Sequence, residues 1–149
     1  MWTRGGSPQD RRSLPLRLLL PLLELRDIQF VALQKELPDD EVALFQSTGV
    51  PSFLGERLAD LADTAAIIAM LDLVITIDTS IAHVAGALGK PMWVLLPFSA
   101  DWRWLRDRED SPWYPTVRIF RQTEPGNWDG VFQRMTEALR ELAKSRTGC

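Results

Sequence analysis

The sequence predicts an α/β fold, a Rossmann-like parallel sheet with flanking helices, and three observations carry that prediction. The first is a pair of continuous apolar runs, Leu73-Val74-Ile75-Thr76-Ile77 and Met92 to Leu96. Such runs read as strands buried on both faces, the habit of parallel sheets. The second is the helical pattern between them, from about Ile81 to Leu88, with Gly89 placed as a C-terminal cap and Pro91 blocking continuation. The third is the alternation of strand-like and helix-like signals along the whole chain, which βαβ connections generate. There is no internal repeat and no low-complexity tract.

Taken in order, residues 1–12 are polar and contain glycine, which makes a loop. Ser13 can cap a helix beginning near Pro15, and Pro21 kinks that helix or confines its regular part. Arg26-Asp27 breaks the pattern, and residues 28–33 follow as a strand. A loop over 34–39 lies at that strand's carboxyl end. Residues 40–46 make a short helix, and 50–54 make at best a short strand interrupted by Pro51. Residues 59–71 read as helix, with Asp63 or Thr64 as the cap that restarts it. The unit over 72–96 is strand, turn, helix, strand, with both strands expected to be parallel and central. Residues 97–115 form a long polar–aromatic loop carrying Trp102, Trp104, Trp113 and Tyr114. Residues 117–120 are another short strand. Asn127 or Asp129 then caps a last helix with the apolar stripe Val131, Met135, Leu139, Leu142 and with Phe132 adjacent. Lys144 and Arg146 end it with the sign its dipole favours.

Composition excludes several functions. The 149 residues suit one domain, and 46% hydrophobic with 25% charged residues is ordinary for a globular protein. A net charge of −3, with no Lys/Arg cluster, argues against a nucleic-acid partner. One cysteine, Cys149, and one histidine, His83, exclude a disulfide framework and any multi-histidine or cysteine–histidine metal centre. No cofactor and no metal ion is expected, and a reducing, cytoplasmic setting fits. The leucine-rich stretch 14–25 contains Arg17, Pro21 and Glu24 and falls short of the ~20 apolar residues of a membrane span. A dinucleotide fingerprint is absent, and Gly89-Lys90 is not a P-loop because Pro91 stands where Ser or Thr is needed.

The chemistry concentrates at Asp78-Thr79-Ser80, the turn between the first apolar run and its helix. A helix that starts at the carboxyl end of a buried strand presents free N–H groups and the positive end of its dipole, a ready anion site. Thr79 and Ser80 add hydroxyl donors, and His83 follows one turn later. On a helical wheel Ile81, Val84, Ala85 and Leu88 face the sheet. His83 lies opposite, with Ala82 and Gly86 as a small-residue shoulder. Two readings stay open on spacing alone: an anion site, or a simple cap beside a solvated histidine.

Asp78-Thr79-Ser80-Ile81-Ala82-His83 and its continuation to Ala87 and Pro91 resemble the Asp-Thr-(Gly/Ser)-x-x-His-x-x-x-Ala-x-x-x-Pro segment of the heptosyltransferase-like glycosyltransferases. Trp102-Arg103-Trp104 and the run from Asp110 to Pro115 resemble the branch in which this domain follows tetratricopeptide repeats. The resemblance implies the C-terminal, donor-binding half of a GT-B fold, with a nucleotide-diphosphate-sugar as ligand. It places Asp78, Thr79, Ser80 and His83 at the diphosphate, and Arg12, in Arg12-Ser13-Leu14-Pro15, as a supporting basic residue. It makes Gln34 and Lys35 candidates for the nucleoside. The aromatic loop either stacks on sugar or base, or packs over the sheet edge or a second domain.

By the same resemblance the general base comes from the other domain, so the chain is expected to be inactive alone and no catalytic residue is assigned. Residues 1–8 resemble only the glycine loop after the family's first, central strand. That strand, the acceptor domain and the repeat region are not found in this sequence. A fragment, a misassigned start or a degenerate gene product would each explain this, and sheet edges left open would favour self-association. The alternative to a glycosyltransferase half is a non-catalytic Rossmann-like interaction module that docks through its aromatic loop.

Overall fold

The computed structural model describes residues 14, 16–34, 39–48, 52–54 and 58–147. Among these residues five strands alternate with helices: β1 (Val31–Ala32), β2 (Ser52–Phe53), β3 (Val74–Ile77), β4 (Met92–Leu96) and β5 (Val117–Arg121). The helices are α1 (Leu20–Leu23), α2 (Asp39–Ser47), α3 (Leu61–Met70), α4 (Ser80–Ala87) and α5 (Asp129–Thr147). Strands β3, β4 and β5 form a parallel sheet in that order, with Val74 opposite Met92 and Met92 opposite Val117. β1 and β2 pair in parallel as a separate two-stranded piece. The chain is therefore the α/β, Rossmann-like fold that the apolar runs predict. Among the described residues no helix is long and apolar enough to cross a membrane.

Two apolar layers sandwich the strands, because successive strand side chains point to opposite faces. On one face Ile75, Ile77, Trp93, Leu95 and Phe120 meet Val131, Phe132, Met135 and Leu139 of α5. On the other Val74, Met92, Val94, Leu96 and Ile119 meet Ile68 of α3, Ala82 and Ala85 of α4, and Trp104. Strand β1 divides its neighbours in the same way: Ala32 belongs to the first layer and Leu33 to the second. All five residues of β4 are buried, as a strand covered on both faces requires. Its Trp93 ring lies 5.1 Å from that of Phe120, and the Arg118 guanidinium covers both rings from outside.

Several expectations are corrected. Among the described residues β3 is the edge of its three-stranded sheet and β4 is central, and no ladder joins β3 to β1. The strand expected over 28–33 covers two residues, Val31 and Ala32, which pair with the two described residues of β2. On α4 the buried residues are Ala82 and Ala85, flanked by Ile81 and Val84, while Leu88 is 45% exposed. The helix approaches the sheet closely through its small side chains, which rotates the contact face away from Leu88.

The cap of α3 is Asp60, whose carboxylate accepts from Ala62 N at 2.8 Å and Asp63 N at 2.9 Å. Asp63 reaches back to the amide of Ala59 at 3.0 Å, so the two carboxylates satisfy donors reciprocally. Asp60→Ala should lower the stability by about 1 kcal/mol. A denaturation midpoint shifted by that amount at unchanged slope is the expected result.

Candidate functional site

The site begins where β3 ends. Ile77 passes into Asp78 and Thr79, and α4 starts at Ser80 with Thr79 as its N-cap in extended conformation. Thr79 makes no side-chain cap bond. Its hydroxyl turns back toward the Thr76 hydroxyl at 3.3 Å and the Ile77 carbonyl at 3.5 Å. The cap reading of this turn is thus not what the side chain does, and the first amides of α4 lack the partner that an N-cap threonine normally supplies. Ser80 is exposed, whereas Asp78 is buried beneath the turn.

His83 is half-buried and has aromatic partners. Its Nδ1 lies 2.8 Å from the Tyr114 hydroxyl, and its ring stacks on Trp104 with centroids 6.2 Å apart at an interplanar angle of 20°. Its Nε2 is 3.9 Å from Asp78 Oδ1, too long for a hydrogen bond. Tyr114 is brought here by Gly86: a Cβ at that position would sit 2.3 Å from the Tyr114 Cδ1 atom. The small-residue shoulder of α4 is therefore a seat for an aromatic ring.

Above His83 lies a pocket of about 500 Å³ lined by His83, Trp102, Arg103, Trp104, Trp113 and Tyr114. Trp104 is its buried floor, while Trp102 and Trp113 are 74% and 61% exposed and form the walls. Such open aromatic faces offer stacking surfaces to a flat or ring-shaped ligand.

The loop that carries these residues is tied to the sheet. The short 3₁₀ turn Trp102–Trp104 is capped by Asp101, whose carboxylate accepts from Arg103 N at 3.0 Å and pairs with the Arg103 side chain at 3.1 Å. Arg121 at the end of β5 donates to the carbonyls of Trp104 at 3.1 Å and Leu105 at 2.5 Å. Leu105 stands at φ 49°, a costly angle for leucine that the two bonds from Arg121 Nη2 help to hold. Burial lowers the pKa of Arg121 below the usual arginine value, with Asp107 opposing the shift. Further along, Arg108 grips Asp110 with two bonds of 2.6 and 2.8 Å and holds its carboxyl below the usual range.

Among the residues singled out from the sequence, Asp78, Thr79, Ser80 and His83 come together at one place. Gln34 is half-buried just past β1 and does not line the pocket. Arg12 and Lys35 lie outside the described residues. Sequence reasoning noticed the aromatic loop but not its meeting with His83. Tyr114 and His83 are 31 positions apart, and no local pattern links them.

Residues 56–97 match the family model of Glycosyltransferase family 9 (heptosyltransferase). That stretch contains α3, β3, the Asp78–Ser80 turn, α4 and β4, and ends where the aromatic loop begins. The chain is also 36% identical over 145 residues to Protein FlbA of Caulobacter vibrioides, an alignment that covers 94% of this chain and 24% of that protein. The chain thus spans about a quarter of the length of that curated relative. No solved structure matches it.

Proposed function

We propose that this chain is the donor-binding half of a glycosyltransferase of the heptosyltransferase kind, the C-terminal half of a GT-B arrangement on the tetratricopeptide-linked branch. Two findings support the reading: the family match over 56–97, and the similarity along nearly the whole chain to a much longer relative. The observation that carries it is His83, held by Tyr114 and Trp104 beside the uncapped first turn of α4. A nucleotide-diphosphate-sugar sets its diphosphate against the amides of Ser80 and Ile81 and the Ser80 hydroxyl, approaching from the exposed side because Asp78 occupies the buried one. His83 donates to a phosphate oxygen through Nε2, with Tyr114 fixing the ring from the other nitrogen.

As the sugar departs, negative charge grows on the leaving diphosphate, and pre-aimed donors stabilise it most where water is excluded. Thr79 shapes the turn, and Arg12 supplies a planar cation for the phosphates. Gln34 and Lys35, after β1, take the nucleoside. No metal ion is needed in this scheme, because the amide donors, His83 and Arg12 meet the charge. The acceptor and the general base belong to a second domain, so the chain binds donor without turning it over. The setting is cytoplasmic, where nucleotide-sugars are made.

A second reading, a non-catalytic interaction module, draws on the exposure of Trp102 and Trp113. Calorimetric titration with ADP, UDP and GDP and their sugar conjugates separates the two. The donor reading expects one saturable site for at least one of the series, retained in a chelator. Absence of binding by every member, in a folded protein, leaves the interaction module.

A further inference from the structure

The pocket above His83 lies almost wholly outside the stretch that matches the family model. Of its lining residues only His83 falls within 56–97; Trp102, Arg103, Trp104, Trp113 and Tyr114 come after it. Its place along the site is set by α4. α3 lies against one flank of this helix. His83 and Gly86, three positions apart and so on one face, carry Tyr114 on the other flank. The loop to which Tyr114 belongs runs from the end of β4 to the start of β5, so the pocket is on the β4 side of the turn. β1 is on the other side of β3, where Phe30 and Val31 share a cleft with Leu73 and Ile75.

A nucleotide-diphosphate-sugar carries two rings, one at each end of its diphosphate. With the diphosphate at the first turn of α4 and the nucleoside past β1, the sugar is the ring directed at the aromatic pocket. The walls fit that ring better than a base. A flat base stacks on parallel faces. Here Tyr114 is tilted 43° from Trp104 and 55° from His83. His83 and Trp104 are nearly parallel but stack on each other, which leaves no slot between them. Angled faces suit a puckered ring, whose polarised C–H bonds meet the electron-rich faces of indoles. Trp102 and Trp113 are largely exposed and have such faces open. Arg103 adds the polar partner that a sugar needs. Asp101 holds its Nε at 3.1 Å, and its Nη groups make no bond among the described residues, so they are free to donate to hydroxyl oxygens.

We propose that the aromatic pocket seats the pyranose ring of the donor's sugar, stacked on Trp102 and Trp113 and hydrogen-bonded by Arg103. This rests on the donor reading above and adds to it the residues that select the sugar. Because those residues come after the matched stretch, the choice of sugar belongs to this loop, while the hold on the diphosphate belongs to the turn and His83.

Calorimetry on the whole chain compares UDP with UDP-glucose, ADP with ADP-glucose and GDP with GDP-mannose. For at least one pair the sugar conjugate should bind about threefold to tenfold more tightly than its nucleoside diphosphate, the worth of an aromatic contact. Trp102→Ala with Trp113→Ala in one chain should weaken the conjugate at least about threefold more than the diphosphate. Both side chains are largely exposed, so the denaturation midpoint of this variant should stay close to that of the parent. Equal losses for conjugate and diphosphate would place the base in the pocket, and no loss for either would leave the pocket without a ligand ring. Either outcome, or conjugates no tighter than their diphosphates, overturns the proposal and leaves the donor site standing. A folded parent chain that binds none of these compounds overturns the donor reading and this proposal together.

Discussion

Trp104→Ala is expected to destabilise the fold by about 3–5 kcal/mol, as large-to-small changes at buried aromatic positions do. Trp104 is 1% exposed and belongs to the layer formed by Ile68, Ala82, Met92 and Leu96. With total stabilities of about 5–15 kcal/mol for domains, that loss takes a large part of what holds the fold. The same change removes the surface on which His83 stacks, so ligand binding should fall with stability. Trp104→Phe separates these effects. The indole Nε1 is buried without a hydrogen-bond partner, so its removal sacrifices no bond while an aromatic face is kept. The phenylalanine variant should therefore cost less than half as much as the alanine variant in denaturant titrations. Equal losses would mean that the ring's packing is not what Trp104 contributes.

Gly86→Ala should also be costly, against the usual rule. In a helix interior alanine is favoured over glycine by about 1 kcal/mol. Here the added carbon meets Tyr114 at 2.3, 2.6 and 2.7 Å from three ring atoms, including Cγ, so the ring must leave its seat rather than bend at its tip. Overpacking of this kind costs about 1–3 kcal/mol. Steric repulsion from three ring atoms outweighs propensity, and the expected net change is a destabilisation of up to about 2 kcal/mol on these figures. The more telling consequence is local. Displacing Tyr114 breaks its 2.8 Å contact with His83, so on the proposed donor reading the variant should lose nucleotide affinity by more than its stability loss accounts for. A stabilised Gly86→Ala protein with unchanged affinity would show that the ring does not sit where α4 makes room for it.

Much of this fold was legible in the chain because its strongest signals are local. The runs at 73–77 and 92–96 are continuous and apolar, and Gly89 adopts φ +64°, as a helix-ending glycine should. The stripe of α5 likewise reads directly from its spacing. What was not legible depends on distant partners. The edge position of β3 is set by which other strands are present, not by Val74–Ile77 itself. The Asp60 cap was missed because Asp63 and Thr64 are equally good cap residues, and only the backbone angle at 60 decides among them. A helical wheel treats all apolar residues alike and so puts Leu88 on the sheet, whereas close approach selects Ala82 and Ala85.

At the site the same division holds. The turn at the end of β3 and the place of His83 one turn into α4 are legible from Asp78-Thr79-Ser80 and its helix, which are contiguous. The aromatic pocket was not, because its residues come from a loop whose path is fixed by Arg121, Asp101 and the Ile119–Glu109 backbone bond of 2.7 Å. Of the aromatic residues in that loop, Trp104 went into the core, Tyr114 onto α4, and Trp102 and Trp113 to the surface. Composition alone ranks these four alike.

The claim that a diphosphate is held at the start of α4 beside His83 is tested most directly by NMR on the full chain during titration with a nucleoside diphosphate. His83 is the single histidine of the sequence, so its ring resonances need no sorting from others. The account predicts that those resonances and the amides of Ser80 and Ile81 move together and saturate at one concentration. It predicts further that Tyr114→Phe, which removes the hydroxyl bonded to Nδ1, shifts that concentration upward several-fold, about the effect of one hydrogen bond of about 1 kcal/mol. A nucleotide that binds saturably while His83, Ser80 and Ile81 stay where they were would contradict it.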